Sequence, residues 1–493
     1  MTFSLPVDST SSVLSTLPRL MALQVWSKLV TFVCNVWIVR LVHPTVFGQF
    51  SVELTLALNV ALFLSRDAVR NVTGRFDRAI QTADAFAVSL LVLPVGVALS
   101  ALLCALVPIS GALALTLAAA LVELASEPFL AVLQCQLLLS ERIKVDGVAT
   151  LLRCVSVIVA LRADWQLMAF AAGQMVYAVT LLSGLVLAVH RHRLWAFCGA
   201  SSAVRLLGVH AALLRGFYRQ AVQSVVLTEA EKVALWFGAS GFDQGTFAVV
   251  SNLGSLVARL VFLPVEETSK AVFQRERNHQ RSATVLSLLV KMVAIVGLFA
   301  AVFGPAYAHT LLHLLYGSRI SATSAPFVLQ FYSVYILCMA VNGVSEAFVH
   351  ATAHVSELPS INTAMVAISV AYIAMAGALL YAFGTVGLVL ANCANMLMRT
   401  LFSAVYASRY FGQKQSRFAL SECAPNAPVA ATFGAALLAT QLSRHFVEPQ
   451  SLAAHVGVGA LALAAVAAAI YVRERAFLSE LRALLRGRAD KQE

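Results

Sequence analysis

The sequence predicts an all-α polytopic membrane protein of about fourteen transmembrane helices, built as two parallel six-helix repeats followed by a C-terminal helix pair. Three observations carry this reading. Of the 493 residues, 60% are hydrophobic and 12% charged, whereas soluble domains carry about 25% charged residues. The apolar residues gather into stretches that match the roughly 20 residues a helix needs to cross a hydrocarbon core. Two distant stretches also read almost alike, VELASEPF at Val122 to Phe129 and VNGVSEAF at Val341 to Phe348. Long apolar runs without alternation exclude a β-barrel, so the backbone must satisfy its hydrogen bonds within helices.

The apolar segments fall near 14–41, 45–69, 84–107, 111–139, 145–163 and 165–189, which form the first bundle, 1–190. A basic and apolar linker occupies 191–212. Segments near 215–240, 245–269, 283–305, 325–352, 360–383 and 385–410 form the second bundle, 213–412. Two more, near 427–444 and 452–472, lie within 413–472 and have no counterpart in the repeat. The tail, 473–493, is basic, and Phe477, Leu481, Leu484 and Leu485 recur at a helical spacing suited to the membrane surface. Further matches support the duplication: FGQF at Phe47 to Phe50 with QGTF at Gln244 to Phe247, and Gln174-Met175 with Asn395-Met396. Six crossings return the chain to its starting side, so the halves share one orientation, as in transporters with a substrate path between repeats.

Charge sets the orientation, because cytoplasmic loops retain Lys and Arg. With a cytoplasmic N-terminus, Arg75, Arg78, Arg142, Lys144, Arg191, Arg193, Lys270, Arg281, Lys414 and the tail all fall on the cytoplasmic side. Arg162, Arg319 and Arg444 fall opposite. Both termini are therefore expected in the cytoplasm. The net charge of +11 is spread over short loops and a tail, which suits anionic headgroups and argues against a nucleic-acid partner. The eight cysteines show no C-x-x-C and no pairing pattern, so neither a disulfide framework nor a zinc site is indicated. The sequon Asn71-Val72-Thr73 falls in a cytoplasmic loop and is expected to stay unmodified.

Ionisable groups at bilayer depth are costly unless they face a cavity or a partner, so their positions around each helix matter. At about 100° per residue, Glu123, Glu127 and Gln134 share one face of segment four, and Pro128 should kink it. Asn59, Arg66 and Arg70 line segment two. Asn252, Ser255, Arg259 and Glu266 line segment eight, with Pro264 beside them. Asn392, Asn395, Arg399, Ser403 and Tyr406 line segment twelve. Glu127, Glu346, Arg259 and Arg399 lie deep and read as cavity-facing. Arg66, Arg70, Glu266, Glu267 and Lys270 lie near the cytoplasmic boundary, where interhelix salt bridges or snorkelling serve equally well, and Lys28 and Lys291 read as anchors. Segment seven, with Gln220, Gln223, Glu229, Glu231 and Lys232, is barely apolar enough to insert and should line water or unwind, unless Glu229 and Lys232 neutralise each other.

Missing chemistry narrows the function. The sequence holds no G-x-x-x-x-G-K-[ST] phosphate loop and no H-E-x-x-H. No soluble stretch is large enough for a catalytic domain. The His309/His313 and His350/His354 pairs have a metal-compatible spacing, yet interfacial histidines are commoner. The chain reads as a non-enzyme with no cofactor and no metal.

LFLSRDAVR at Leu62 to Arg70, VELASEPF, LTEAEK at Leu227 to Lys232, VVSNLGSLVARLVFLPVEE at Val249 to Glu267 and LANCANM at Leu390 to Met396 together resemble the Rft-type proteins. These are endoplasmic-reticulum members of the multidrug/oligosaccharidyl-lipid/polysaccharide flippase superfamily. The likeness departs at Glu53, where a basic residue is expected, and at Asp67, where Glu is usual. It implies a bundle with a central cavity and movement of Man(5)GlcNAc(2)-PP-dolichol from the cytoplasmic to the lumenal leaflet for protein N-glycosylation. Partners would be that glycolipid, membrane lipids and dolichol-pathway glycosyltransferases. Arg guanidinium suits phosphate oxygens, so Arg40, Arg66, Arg70, Arg259 and Arg399 are the candidate cavity cations. Glu127, Asn252, Glu266, Asn342, Glu346, Asn392 and Asn395 are the candidate polar contacts. Two other readings stay open: a non-transporting accessory that binds the glycolipid or pathway enzymes, and an ion-coupled exporter of small organic cations in which Glu127 and Glu346 carry the coupling.

Overall fold

The computed structural model describes residues 30–73, 82–108, 110–136, 138–195, 200–276, 278–354, 356–448 and 450–485. All regular structure among them is helical, and two compact units emerge, Met1–Gly245 and Thr246–Glu493. Nine helices among the described residues are long and apolar enough to cross a membrane.

In the first unit, α1 spans Val30–Leu41. Pro44 opens α2, Pro44–Gln49, where the missing proline N–H costs nothing, and the His43 ring accepts from Thr45 N at 3.3 Å. A π-turn, Phe50–Leu54, leads into α3, Thr55–Thr73. The Thr55 hydroxyl donates to Phe50 O at 2.8 Å, giving a partner to a carbonyl that the widened turn displaces. The third segment divides into α4, Thr82–Ser89, and α5, Val92–Leu106, with Pro94 in the first turn of the latter.

Segment four breaks where Pro128 was expected to kink it, giving α6, Gly111–Leu124, and α7, Glu127–Cys135. At the break the Ser126 hydroxyl donates to Glu123 O at 2.6 Å. The unit continues with α8, Leu139–Arg162, α9, Leu167–Arg191, and α10, Ala200–Gly238. Leu62, Val69, Val88, Val92, Leu117 and Leu124 pack as its core.

The 39-residue α10 is uninterrupted, so segment seven does not unwind, and residues 200–212 of the expected linker are its first turns. The helix packs on α3, where Glu229 finds a partner, while Gln220 and Gln223 are exposed. Glu229 accepts from Asn59 Nδ2 at 2.8 Å and from Lys232 Nζ at 2.6 Å.

The helix α11, Gly241–Val257, passes into the second unit and through another π-turn, Ala258–Phe262, to α12, Leu263–Arg275. There follow α13, His279–Tyr316, the short α14, Ser318–Ser321, and α15, Ala325–Thr352. The side chain of Asn278 caps α13 by accepting from Arg281 N at 3.1 Å. α16, Leu358–Gln413, is interrupted at Gly384, whose φ of 61° and ψ of −147° lie outside helical space. Gly387 there packs against the carbonyl of Leu379 with no room for a Cβ, so the chain folds back on itself and the 56-residue run divides into two lengths.

The last elements are α17, Ala427–Phe446, α18, Leu452–Arg473, and α19, Arg475–Leu485. Phe477 is buried, and Leu478 and Leu481 join Val302, Phe433 and Val466 in the core of this unit. The first turns of the tail thus turn their apolar face onto protein, where a membrane-surface position was expected. Lys291 differs from its expected anchoring role too. Its ammonium pairs with Glu474 at 3.0 Å while both side chains are buried, and Glu474 also accepts from Asn426 N at 2.8 Å. Lys28, Leu484 and Leu485 lie outside the described side chains.

Within the first unit, α2 meets the start of α11 backbone to backbone. A Cβ on Gly48 would run into the carbonyl of Gly241, and one on Gly245 into that of Pro44. These glycines belong to the matched FGQF and QGTF motifs. Gly48→Ala should destabilise the protein by about 1–3 kcal/mol through overpacking. Gly216→Ala, on α10 with open space around it, should be neutral or slightly stabilising. Thermal unfolding of the purified variants in detergent reads the difference, and equal melting temperatures would contradict this close approach.

Candidate functional site

Each unit gathers charged side chains around a glutamate from the VELASEPF/VNGVSEAF pair. In the first unit, the break between α6 and α7 places Glu123 on the last turn of one helix and Glu127 on the first turn of the next, both buried. The polar stripe of α3 faces them. Arg66 Nη1 donates to Glu123 Oε1 at 2.7 Å and lies 3.8 Å from Glu127 Oε1. Arg70 grips Glu127 with two nitrogens, Nε to Oε2 at 2.8 Å and Nη2 to Oε1 at 2.5 Å. This is the fork-on-carboxylate geometry that makes guanidinium pairs strong.

From α9, Gln174 Nε2 donates to Glu123 Oε2 at 3.0 Å, while its own buried oxygen has no partner. Arg142, at the start of α8, adds a third cation that interacts with Arg70, Glu127 and Asp146. The ionised groups thus balance closely within a low-dielectric bundle, which is the condition for keeping them charged there.

In the second unit, Glu346 on α15 accepts from Arg399 Nη2 at 2.5 Å and from Asn342 Nδ2 at 3.0 Å, with His350 Nε2 at 3.5 Å. Glu266, half-buried on α12, lies close to Gly343 and interacts with Glu346, Lys270 and Arg399. Several donors and acceptors stay unused: Arg399 Nε, Asn342 Oδ1, Asn395 Oδ1 and Ser403 Oγ are buried without partners among the described residues.

The structure therefore brings together seven of the twelve candidate site residues: Arg66, Arg70 and Glu127 in one network, and Glu266, Asn342, Glu346 and Arg399 in the other. Asn395 lies one turn before Arg399 on α16, and Asn392 is buried on the same helix. Asn252 is half-buried on α11, and Arg40 is exposed near the end of α1. Arg259 belongs to the second π-turn, but its side chain lies outside the described ones. Three of the candidate cavity cations are each held by a carboxylate: Arg66 and Arg70, for which an interhelix salt bridge is one of the expected readings, and Arg399, which reads as cavity-facing. The reason is physical: a lone guanidinium at that depth costs several kcal/mol, and the same stripes that carry the arginines face helices carrying the acids.

Sequence reasoning missed four groups. Glu123 and Gln174 were visible only as members of a stripe and of a matched pair. Arg142 was read as a loop charge. Arg153, in the middle of α8, drew no notice, although an arginine in the centre of an apolar segment was signal enough.

Comparison with known proteins fits this architecture. The family model described as Rft protein matches residues 12–484. The chain belongs to the Rft protein family. Relatives named Man(5)GlcNAc(2)-PP-dolichol translocation protein RFT1 include those of Xenopus tropicalis and Dictyostelium discoideum. The first is 29% identical over 79% of this chain and 80% of the relative, the second 27% identical over 94% and 95%. Among solved structures, the lipid II flippase MurJ in an inward closed conformation matches with a TM-score of 0.63 over 92% of this chain and 99% of its own, at 11% identity. An inward-facing MATE family transporter of the MOP superfamily matches with a TM-score of 0.51 over 77% and 95%, at 14% identity. These likenesses establish a MurJ- and MATE-like fold for this Rft family member.

Removing Arg70 should harm the protein more than removing both partners. Arg70→Leu strands Glu127 in the interior and should cost up to about 3 kcal/mol, while Arg70→Leu with Glu127→Leu should recover much of it. Melting temperatures of the two variants in detergent measure this. A double variant no more stable than the single one would mean that the pair does not hold α3 to α7.

Proposed function

We propose that this protein moves Man(5)GlcNAc(2)-PP-dolichol from the cytoplasmic to the lumenal leaflet of the endoplasmic-reticulum membrane. The observation that carries the reading is the concentration of arginines at membrane depth, of which Arg66, Arg70 and Arg399 are each paired with a carboxylate that a diphosphate can displace or share. A guanidinium has five N–H donors. Arg66 uses one nitrogen on Glu123, so donors remain for phosphate oxygens. Amide and hydroxyl groups without partners, on Asn342, Asn395 and Ser403, suit sugar hydroxyls. The names of the relatives and a fold like that of a lipid II flippase support the same substrate class, a polyprenyl-diphosphate-linked sugar.

In this proposal the chain crosses the membrane fourteen times, with both termini in the cytoplasm, as two six-helix repeats, 1–190 and 213–412. The helices beyond the nine clear spans are α1, α8, α10 and α17, together with the second length of α16. Arg40, Arg66, Arg70, Arg259 and Arg399 contact the diphosphate, and Glu127, Asn252, Glu266, Asn342, Glu346, Asn392 and Asn395 line the sugar path. The protein needs no cofactor and performs no catalysis. Dolichol-pathway glycosyltransferases supply and consume its cargo. The break before Pro128 and the π-turn before Pro264 let the helices bend during transport.

Reconstitution of purified protein into liposomes with Man(5)GlcNAc(2)-PP-dolichol should raise the rate of leaflet exchange above protein-free vesicles. Arg399→Gln should reduce that rate at least tenfold while the protein stays folded. Glycolipid binding without any increase in exchange would reject transport and favour the accessory role. Exchange that requires a sodium or proton gradient would favour the ion-coupled mechanism.

A further inference from the structure

The first unit contains a cavity of about 140 Å³ whose wall includes Arg153, Gln174, Asn59, Thr116, Phe50 and Phe170. It is smaller than the 300–1,000 Å³ of most small-molecule sites, so it takes a headgroup fragment and not an oligosaccharide. None of the residues proposed above to contact substrate lines it. Two features show that its polar groups are built for a ligand.

The first is the charge on Arg153. This residue sits 14 positions into the 24-residue α8, about 20 Å along its axis at 1.5 Å per residue, near the middle of the expected span. No carboxylate lies within 4 Å of its guanidinium, and it donates no hydrogen bond among the described residues. Three nearby acids have partners of their own: Glu123 in Arg66 and Gln174, Glu229 in Asn59 and Lys232, Asp146 in the Tyr177 hydroxyl at 2.7 Å. A cation at this depth calls for an anion, and among the described residues no carboxylate forms a salt bridge with it.

The second is Asn59, whose Nδ2 is fixed on Glu229 and whose Oδ1 is left as an acceptor on the cavity wall. An amide oxygen that the protein does not use accepts a hydroxyl or N–H donor beside the anion. Phe50 and Phe170 stack on each other with centroids 4.0 Å apart and an interplanar angle of 15°, and the pair supplies the apolar part of the wall. Phe50 also begins the π-turn of the first unit, a deviation that recurs at functional sites.

We infer that this cavity binds a phosphorylated sugar, with the phosphoryl group on Arg153, a sugar hydroxyl or amide N–H on Asn59 Oδ1, and the sugar's C–H surface against the Phe50–Phe170 stack. The inference deepens the proposed function, since it gives that cargo a separate phosphosugar subsite inside the first unit. It also rests on that reading for the identity of the natural ligand. A glycosyl phosphate and the phosphate of a bulk phospholipid share the charge, but only the former presents the donor and the ring.

The test uses the full chain in detergent and follows the rise in melting temperature with N-acetylglucosamine 1-phosphate, with inorganic phosphate and with phosphatidic acid. N-acetylglucosamine 1-phosphate should stabilise the wild-type protein, and Arg153→Gln should weaken its binding at least tenfold. Arg153→Lys should restore part of the loss. Arg162→Gln should bind as wild type, because Arg162 lies at the far end of α8 over the Trp37 ring at 5.5 Å. Equal binding by wild type and Arg153→Gln would overturn the inference, and so would stabilisation by phosphatidic acid but not by the sugar phosphate.

Liposome exchange separates this inference from the transport reading. Arg153-dependent sugar-phosphate binding in a protein that does not move the glycolipid would keep the subsite and reject transport. Wild-type exchange with no Arg153-dependent binding would keep transport and reject the subsite.

Discussion

The double hydrogen bond between Arg70 and Glu127 is the constraint around which the first unit is organised. It joins α3 to the broken hairpin of α6 and α7, and it gives both oxygens of a buried carboxylate a donor. Glu123, one turn earlier, extends the arrangement to Arg66 on α3 and to Gln174 on α9. Three helices are thereby held by two acids placed on either side of one helix break. Pro128 makes that break tolerable, because its missing N–H falls in the first turn of α7, where no helical bond is lost.

The second unit meets the same requirement with different partners. Glu346 occupies the position in VNGVSEAF that Glu127 occupies in VELASEPF, but its arginine comes from α16 and not from the helix that follows the QGTF motif. That neighbouring helix instead supplies Glu266, a second acid, beside Gly343. One acid is thus common to both units while the surrounding charge differs. The first unit carries Arg66, Arg70 and Arg142 around Glu123 and Glu127, and the second carries Arg399, Lys270 and His350 around Glu346 and Glu266.

Much of this was legible in residue order. The helical class followed from apolar length, the break at Pro128 from proline chemistry, and the faces of α3 and α16 from helical periodicity. Which charge meets which was not legible. Arg70 and Glu127 are 57 residues apart, Glu346 and Arg399 53, and Lys291 and Glu474 183. No local rule connects such positions, so Lys291 reads as an anchor and the sequence leaves the partners of Arg70 and Arg399 unnamed. The tail illustrates the same limit: its amphipathic spacing specifies an apolar face without specifying whether lipid or protein covers it, and Phe477 is covered by protein.

By itself the sequence determined that the segments are apolar helices, nine of them long enough to span among the described residues, with breaks at residues such as Pro128 and Gly384. These are local properties, fixed by side-chain transfer energies and backbone geometry over a few turns. Only the tertiary structure decided which stripes face each other, and so which charges meet a carboxylate within 4 Å and which, as with Arg153 among the described residues, do not. Pairing at membrane depth depends on distances of about 3 Å between helices remote in sequence, and such distances exist only once the bundle has packed.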